Sequence, residues 1–226
     1  MKSATRSALS PLNQTDEMHL AFPTGGLAKR AFDIFAAISA LVIFLPLFLM
    51  IAALVKFTDG GRIFYGHTRV GHNGRSFKCL KFRTMVPNGD EALRRYLHNN
   101  PEAKAEWQAT RKLKNDPRVT TVGAVLRKLS LDELPQLFNV LRGEMSIVGP
   151  RPVVDEELTI YDTFAVYYLR TRPGLTGLWQ ISGRNDVSYE SRIAFDTHYV
   201  QNWSLLQDMS IIVKTIPAVC MSRGSY

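Results

Sequence analysis

A nearly continuous apolar run from Ala31 to Val55 is the feature that most limits what this chain can fold into. Asp33, near its start, is the only charged side chain within it. A helix needs about 20 apolar residues to cross the hydrocarbon core of a bilayer, so the run is long enough to do so. Because so few polar residues interrupt it, a core helix of a soluble domain is the less favoured interpretation. The run therefore predicts a membrane helix.

Pro46 lies inside this run and gives the membrane helix two alternative paths. Its ring removes a backbone donor and clashes with the carbonyl of Val42, which predicts a bend. Cationic residues flank both ends of the run, Lys29 and Arg30 before it and Lys56 after it, so charge asymmetry does not choose an orientation. A helix that enters, bends near Pro46 and returns to the same face explains both features. A straight crossing helix is the alternative, and these residues alone leave both open.

The run divides the chain into three regions: residues 1–28, 29–57 and 58–226. The first is polar and without apolar periodicity, which predicts a mobile tail, and the apolar run comes too late for a signal peptide. Only two cysteines are present, Cys79 and Cys220, and two distant cysteines do not make a disulfide framework. We therefore expect both to be reduced and the third region to lie in the cytoplasm.

The third region predicts an α+β fold that is mostly helical with a small β-hairpin. Strand-like segments at 63–70 and 76–83 are separated by Gly71-His72-Asn73-Gly74, whose Asn-Gly pair favours a hairpin turn. Helices are predicted at 88–98, 102–112, 121–129, 189–202 and 205–219. The last of these is rich in apolar residues around Lys214, which favours an amphipathic helix at a membrane interface over one packed in the core.

The stretch around Asp132 and Glu133 is the most informative for chemistry. Ser130 and Glu133 have the spacing of a capping box, a common way to begin a helix. Pro135 complicates that interpretation, because with Ser130 as the cap it would fall where a backbone donor is required. With Asp132 as the cap Pro135 is tolerated, and the helix would run from Glu133 to about Arg142. Adjacent carboxylates repel unless a cation intervenes, so one could act as a nucleophile while the other binds Mg²⁺.

Three basic residues could contact phosphate near these carboxylates. Arg127 precedes Asp132, and Arg151 follows between Pro150 and Pro152, which limit the backbone angles of this loop. Arginine matches phosphate oxygens in a bidentate way. Lys81 shares a strand face with Arg83, which is typical either of a phosphate contact or of a charged edge strand.

Other classes of site are not indicated. The formal net charge of +8 fits a polyanionic partner, but no nucleic-acid-binding motif is present and no nucleic acid is expected. The five histidines and two cysteines lack zinc-like spacing. The segment from Pro173 to Arg184 contains several glycines but no Walker lysine and no dinucleotide fingerprint.

Taken together, these blocks resemble the bacterial sugar transferase family, the monotopic phosphoglycosyl transferases. The resemblance covers about residues 28–226 and rests on Lys29–Asp33 before the helix with Pro46, Lys81–Met85, Ser130–Leu137, Gly149–Pro152 and Pro173–Arg184. Asp-Glu-Leu-Pro-Gln together with Pro-Arg-Pro makes it specific. The chain looks like the short members that consist of the catalytic domain, and it is most similar to the galactosyl-1-phosphate transferases that begin exopolysaccharide repeat units.

The resemblance implies a two-step reaction. By match to the motif, Asp132 attacks the sugar-bearing phosphate of a UDP-sugar, UMP leaves, and undecaprenyl phosphate then takes the phosphosugar. Glu133, with Asp132, would hold Mg²⁺, while Arg127, Arg151 and Lys81 would contact phosphate. Galactose is the expected hexose and glucose the alternative.

The resemblance also implies the re-entrant helix, broken at Pro46, in a monotopic membrane protein. Both ends of that helix would lie on the cytoplasmic side of the bacterial inner membrane, with the catalytic domain at the surface of the lipid bilayer. The sequence permits a homodimer without specifying one. A non-catalytic, membrane-anchored scaffold for polysaccharide assembly, using the basic surface alone, is the alternative function.

Overall fold

The computed structural model describes residues 22–110, 113–182 and 188–220. Most of these residues are helical, with two small two-stranded sheets. The helices are α1 (Gly26–Asp59), α2 (Gly89–Asn99), α3 (Pro101–Thr110), α4 (Thr121–Lys128), α5 (Gln136–Arg142), α6 (Asp155–Ile160), α7 (Ala165–Leu169), α8 (Leu178–Ile181), α9 (Tyr189–Gln201) and α10 (Leu205–Cys220). The strands are β1 (Phe64–Val70), β2 (Ser76–Phe82), β3 (Ser146–Val148) and β4 (Gly174–Thr176). The predicted fold class, mostly helical with a small hairpin, is confirmed.

Helix α1 contains the predicted apolar run and extends over 34 residues. It ends where Gly60 adopts a left-handed conformation, with φ of 71°, and donates its backbone N–H to the carbonyl of Lys56 at 3.0 Å. By length and composition it could cross a membrane, and only 17% of its most apolar 18-residue segment is buried. Pro46 lies inside the helix, which continues on both sides of it. The long apolar helix is therefore confirmed, while the bend and the re-entrant path stay predictions.

The charged residues at the start of α1 bind to the rest of the protein. Lys29 pairs with Asp208 of α10, with 2.6 Å between Nζ and Oδ2. Arg30 donates to the carbonyls of Val140 and Leu141 in the last turn of α5, at 2.6 and 2.8 Å. These cations were expected only to flank the membrane run. The structure uses them to attach the helix to the domain.

Asp33 provides the third attachment. Its Oδ1 accepts hydrogen bonds from the Ser146 hydroxyl and from the Ile147 backbone, both at 2.9 Å. Asp33 is fully buried, so the one charge in the apolar run faces the protein. The first half of α1 consequently packs onto β3, α5 and α10 in the largest apolar core, whose buried members include Ala37, Val140, Met145, Val148 and Ile211.

The predicted hairpin is confirmed, with Phe64 opposite Phe82 at one end and Val70 opposite Ser76 at the other. Asn73 and Gly74 both have positive φ, 56° and 72°, which is the left-handed backbone that an Asn-Gly turn favours. In this register Tyr65 lies directly opposite Lys81 on the same face of the hairpin.

A second sheet was not predicted. Strands β3 and β4 pair in parallel, with Ser146 opposite Gly174. A side chain at Gly174 would lie 2.1 Å from the backbone nitrogen of Gly149, so glycine is needed for the two chains to approach. This contact brings the Pro150–Pro152 loop next to the segment that begins at Pro173.

The helix register predicted after Ser130 is wrong. Ser130 is left-handed, with φ of 55°, and its side chain makes no capping hydrogen bond, so neither the capping box nor an Asp132 cap forms. A 3₁₀ turn covers Leu131–Glu133, and α5 begins only at Gln136. Pro135 has no N–H to donate to the carbonyl of Leu131, so a regular α-helix cannot be established before it. The predicted end at Gly143 is confirmed, with φ of 81°.

Candidate active site

A cleft of about 850 Å³ lies between the hairpin, the turn around Asp132, and the β3–β4 sheet. Its wall includes every residue that the sequence predicted for catalysis or phosphate contact, namely Lys81, Arg127, Asp132, Glu133 and Arg151. Lys81 is far from the other four in the sequence, so the fold brings it to them.

Asp132 and Glu133 share one lysine at the cleft. Lys81 Nζ lies 2.6 Å from Glu133 Oε1 and 3.7 Å from Asp132 Oδ2. The Asp132 residue is buried, with 7% of its surface exposed, whereas the side chains of Lys81 and Glu133 are 30% and 31% exposed. In the 3₁₀ turn, the carboxylate of Asp132 is therefore buried in the wall of the cleft, whereas that of Glu133 is more exposed to solvent.

Burial and charge act against each other on these groups. Burial raises the pKa of Asp132, the Lys81 cation opposes this, and the Glu133 carboxylate adds to it, with a net rise above the ordinary 3.8. Burial alone would lower the pKa of Lys81, but the carboxylates of Glu133 and Asp132 outweigh it, and the net pKa is raised. Lys81 therefore stays protonated and is the main group that favours the ionised form of Asp132.

Arg127 and Arg151 both line the cleft. Arg127 lies in the last turn of α4 and donates from Nε to the hydroxyl of Thr84 at 2.9 Å. Arg151 is exposed, and its guanidinium lies 5.7 Å from the ring of Trp179. The planar fork of a guanidinium suits phosphate oxygens.

Arg83, which shares the strand with Lys81, has a different role. It pairs with Asp59 at the end of α1 and also donates to the carbonyl of Val55 at 3.4 Å. Arg83 therefore connects the hairpin to the end of α1. Lys81 faces the carboxylates of the cleft, whereas Arg83 makes a structural contact, so the two neighbouring cations have different partners.

Sequence reasoning missed several residues of the wall. Trp179 is one of these, is buried, and has its ring 5.0 Å from the guanidinium of Arg192. It belongs to the Pro173–Arg184 segment, which contributed to the family resemblance without roles for single residues. Gly183 and Arg184 of that segment lie outside the described residues. Further wall residues to which the sequence assigned no role are Tyr65, Arg69, Arg118, Gln136, Gln180 and Thr215.

A divalent cation could take two carboxylate ligands at this turn, Asp132 and Glu133. Within the described ranges no group of three or more His, Cys, Asp or Glu side chains could hold a metal ion. Asp132 and Glu133 do place two carboxylates at one cleft. Mg²⁺ is usually held by one or two carboxylates together with substrate phosphates and water, so this pair fits Mg²⁺ better than a metal that needs a complete protein site.

Several known proteins are similar to this chain in sequence. The exopolysaccharide production protein ExoY of Rhizobium meliloti is 70% identical over 226 residues, which is 100% of both chains. The undecaprenyl-phosphate galactose phosphotransferase of Salmonella typhimurium is 53% identical over 209 residues, 92% of this chain and 44% of that protein. The UDP-glucose:undecaprenyl-phosphate glucose-1-phosphate transferase of Caulobacter vibrioides is 38% identical over 209 residues, 88% of this chain and 72% of that protein.

A family model described as bacterial sugar transferase matches residues 24–222, which include α1 and the whole wall of the cleft. The match and the relatives make the chain an enzyme and remove the scaffold alternative. The chain belongs to the bacterial sugar transferase family.

Proposed function

We propose that the protein transfers hexose-1-phosphate from a UDP-hexose to undecaprenyl phosphate, with release of UMP, as the first membrane step of exopolysaccharide synthesis. The donor and the acceptor follow the names of the Salmonella and Caulobacter relatives, and the pathway follows the name of the Rhizobium relative. The observation that carries the proposal is the buried carboxylate of Asp132, which is paired with Lys81 in a cleft that Arg127 and Arg151 also line.

The first step uses Asp132 as the nucleophile. A carboxylate oxygen attacks the sugar-bearing phosphorus, the bond from that phosphorus to the bridging oxygen breaks, and UMP leaves with the electron pair. Lys81 keeps Asp132 ionised, and burial strips water from the carboxylate. Arg127 and Arg151 hold the non-bridging oxygens, where negative charge is concentrated in the transition state.

The second step returns the enzyme to its starting state. A phosphate oxygen of undecaprenyl phosphate attacks the same phosphorus, and the Asp132 carboxylate leaves. The product is undecaprenyl diphosphate hexose, and charge and atoms balance without a proton donor. Lys81 then pairs again with the released carboxylate, at the 3.7 Å separation seen here.

Mg²⁺ is proposed as the cofactor, held by Glu133 and Asp132 together with the diphosphate. When bound, it would neutralise charge on the diphosphate and on the departing UMP. The closeness of the two carboxylates supports this proposal, because their mutual repulsion falls when a cation lies between them.

The lipid acceptor requires the cleft to lie at a membrane surface. Helix α1 exposes Val42, Ile43 and Leu49 by 68%, 70% and 61%, and α10 exposes Leu206 and Val213 by 82% and 63%. Apolar surface of this kind is typical of groups that contact lipid. We propose that α1 is re-entrant with its bend at Pro46 and that α10 lies in the interface, on the cytoplasmic face of the inner membrane.

A single experiment tests the mechanism. Purified protein is incubated with radiolabelled UDP-galactose and Mg²⁺, first without and then with undecaprenyl phosphate. Without acceptor, we expect UMP release in proportion to enzyme and label bound to the protein; with acceptor, the label moves to lipid. Asp132→Asn should lose both by a factor of about 1,000 or more, because a carboxamide is a poor nucleophile.

The control is Asp155→Asn, which makes the same change at an exposed residue outside the cleft wall. Retained transfer in Asp132→Asn would disprove the aspartyl mechanism. Repeating UMP release with UDP-glucose decides between the two hexoses, and omission of Mg²⁺ with added chelator tests the cofactor.

A further inference from the structure

We propose that Thr84 is a positioning residue, which holds the guanidinium of Arg127 towards the diphosphate of the donor. The inference rests on the proposed function and adds a residue to it. Thr84 follows β2 and is buried, with 7% of its surface exposed. Its hydroxyl accepts the hydrogen bond from Arg127 Nε at 2.9 Å, across the floor of the cleft.

The backbone of Thr84 is fixed by the start of the same helix that carries Arg127. Its carbonyl accepts from the backbone N–H of Thr120 at 3.0 Å, at the N-cap of α4. A side chain at Gly123 would come within 2.1 Å of that carbonyl oxygen, so only glycine allows this approach. Thr84 therefore contacts the first turn of α4 through its backbone and the last turn through its hydroxyl.

This double contact fixes the direction of the guanidinium. The bond at Nε leaves the two terminal nitrogens of Arg127 for phosphate, and a planar guanidinium held at one nitrogen has few remaining orientations. An arginine without that bond would sample many rotamers and lose this freedom on binding the donor. The hydroxyl of Thr84 thus strengthens donor binding through Arg127.

The test compares Thr84→Val, which keeps shape and branching but removes the hydroxyl, with Thr84→Ser, which keeps the hydroxyl. The matched control is Thr197→Val. Thr197 is equally buried, 8% exposed, and its hydroxyl has no hydrogen-bond partner in the structure. The probe is UDP, whose dissociation constant is measured by calorimetry and does not require turnover.

Thr84→Val should raise the dissociation constant of UDP about tenfold, with a matching rise in KM for UDP-hexose, because the freed side chain of Arg127 must then be ordered when the ligand binds. Thr84→Ser and Thr197→Val should bind as the unaltered protein does. In an Arg127→Ala background, Thr84→Val should weaken binding no further, since the group that it positions is gone.

Unchanged UDP affinity in Thr84→Val would overturn the inference, and so would an equal loss in the Arg127→Ala background. Neither measurement depends on Asp132, so the positioning role can fail while transfer persists. Conversely, transfer that survives Asp132→Asn would refute the mechanism without altering the result for Thr84.

Discussion

Two lysine–carboxylate clusters in this protein have the same contact distance and different surroundings. At the anchor, Lys29 and Asp208 are 2.6 Å apart with side chains 3% and 0% exposed. At the cleft, Lys81 and Glu133 are also 2.6 Å apart, with about a third of each side chain exposed.

The remaining partners explain the difference. Asp208 accepts further hydrogen bonds from the Tyr199 hydroxyl at 2.7 Å and the Trp203 indole at 3.1 Å, so both of its oxygens are used inside the protein. Lys81 faces two carboxylates at a cleft wide enough for a ligand. A buried charge whose partners are all internal holds helices together, whereas one at a cleft can exchange a protein partner for a substrate. Three substitutions test this comparison.

The largest effect on stability is expected at the anchor. Asp208→Ala leaves the Lys29 ammonium buried without its partner, which should cost about 3–5 kcal/mol of unfolding free energy. Thermal unfolding in detergent measures the loss. Lys29→Met with Asp208→Leu should recover part of it, because neither charge of this pair is then left buried without the other. If Asp208→Ala melted as the unaltered protein does, the anchor would not be holding α1 to α10.

At the cleft, Lys81→Met should lower kcat about 100-fold, the order typical of losing one electrostatic contact at a reacting group. Burial already raises the pKa of Asp132 above 3.8, and Lys81 is the main group that lowers it. Since the ionised form reacts, activity is lost as pH falls through this pKa, and removal of Lys81 should move that acidic limb to higher pH. A pH profile of UMP release measures the shift.

The control for this change is Lys78→Met, on the other face of the same strand, where the lysine donates to the Thr68 hydroxyl at 2.7 Å. Its pH profile should not move. If the acidic limb of the pH profile did not move in Lys81→Met, Lys81 would not control the ionisation of Asp132. The proposed difference between the cleft and the anchor would then be weaker.

The smallest effect is expected for a pair that belongs to neither cluster. Arg95 and Glu91 of α2 are 2.8 Å apart, but their side chains are 74% and 58% exposed. Arg95→Ala should therefore change the unfolding free energy by no more than about 0.5 kcal/mol, and added salt should reduce even this difference. A loss like that of Asp208→Ala would show that contact distance, and not burial, decides the strength of these pairs.

Local sequence signals predicted much of the fold. The hairpin follows from strand-like segments around an Asn-Gly turn, and both turn residues have the expected positive φ. The length of the apolar run predicts helix α1 but gives no role to the one charged residue in it, Asp33. That role is known only from its hydrogen-bond partners in the folded protein, Ser146 and Ile147.

Contacts between distant segments could not be predicted in the same way. Strands β3 and β4 have three residues each and pair across the interval between Val148 and Gly174, which carries no periodic signal. The helix start predicted after Ser130 was wrong for a different reason. The sequence favours a helix cap at Ser130 or at Asp132, whereas Ser130 is left-handed and a 3₁₀ turn precedes Pro135. The roles of Thr84 and Trp179 depend on which side chains lie next to them in the cleft, and the sequence does not show these neighbours.

The sequence by itself determined the long apolar helix, the hairpin and the candidate catalytic and phosphate-binding residues, because apolar length, turn residues and motif blocks are local properties. Only the tertiary structure decided which charges are anchors and which face the cleft. That decision depends on burial and on the number of hydrogen-bond partners, and both arise when segments far apart in the chain pack together.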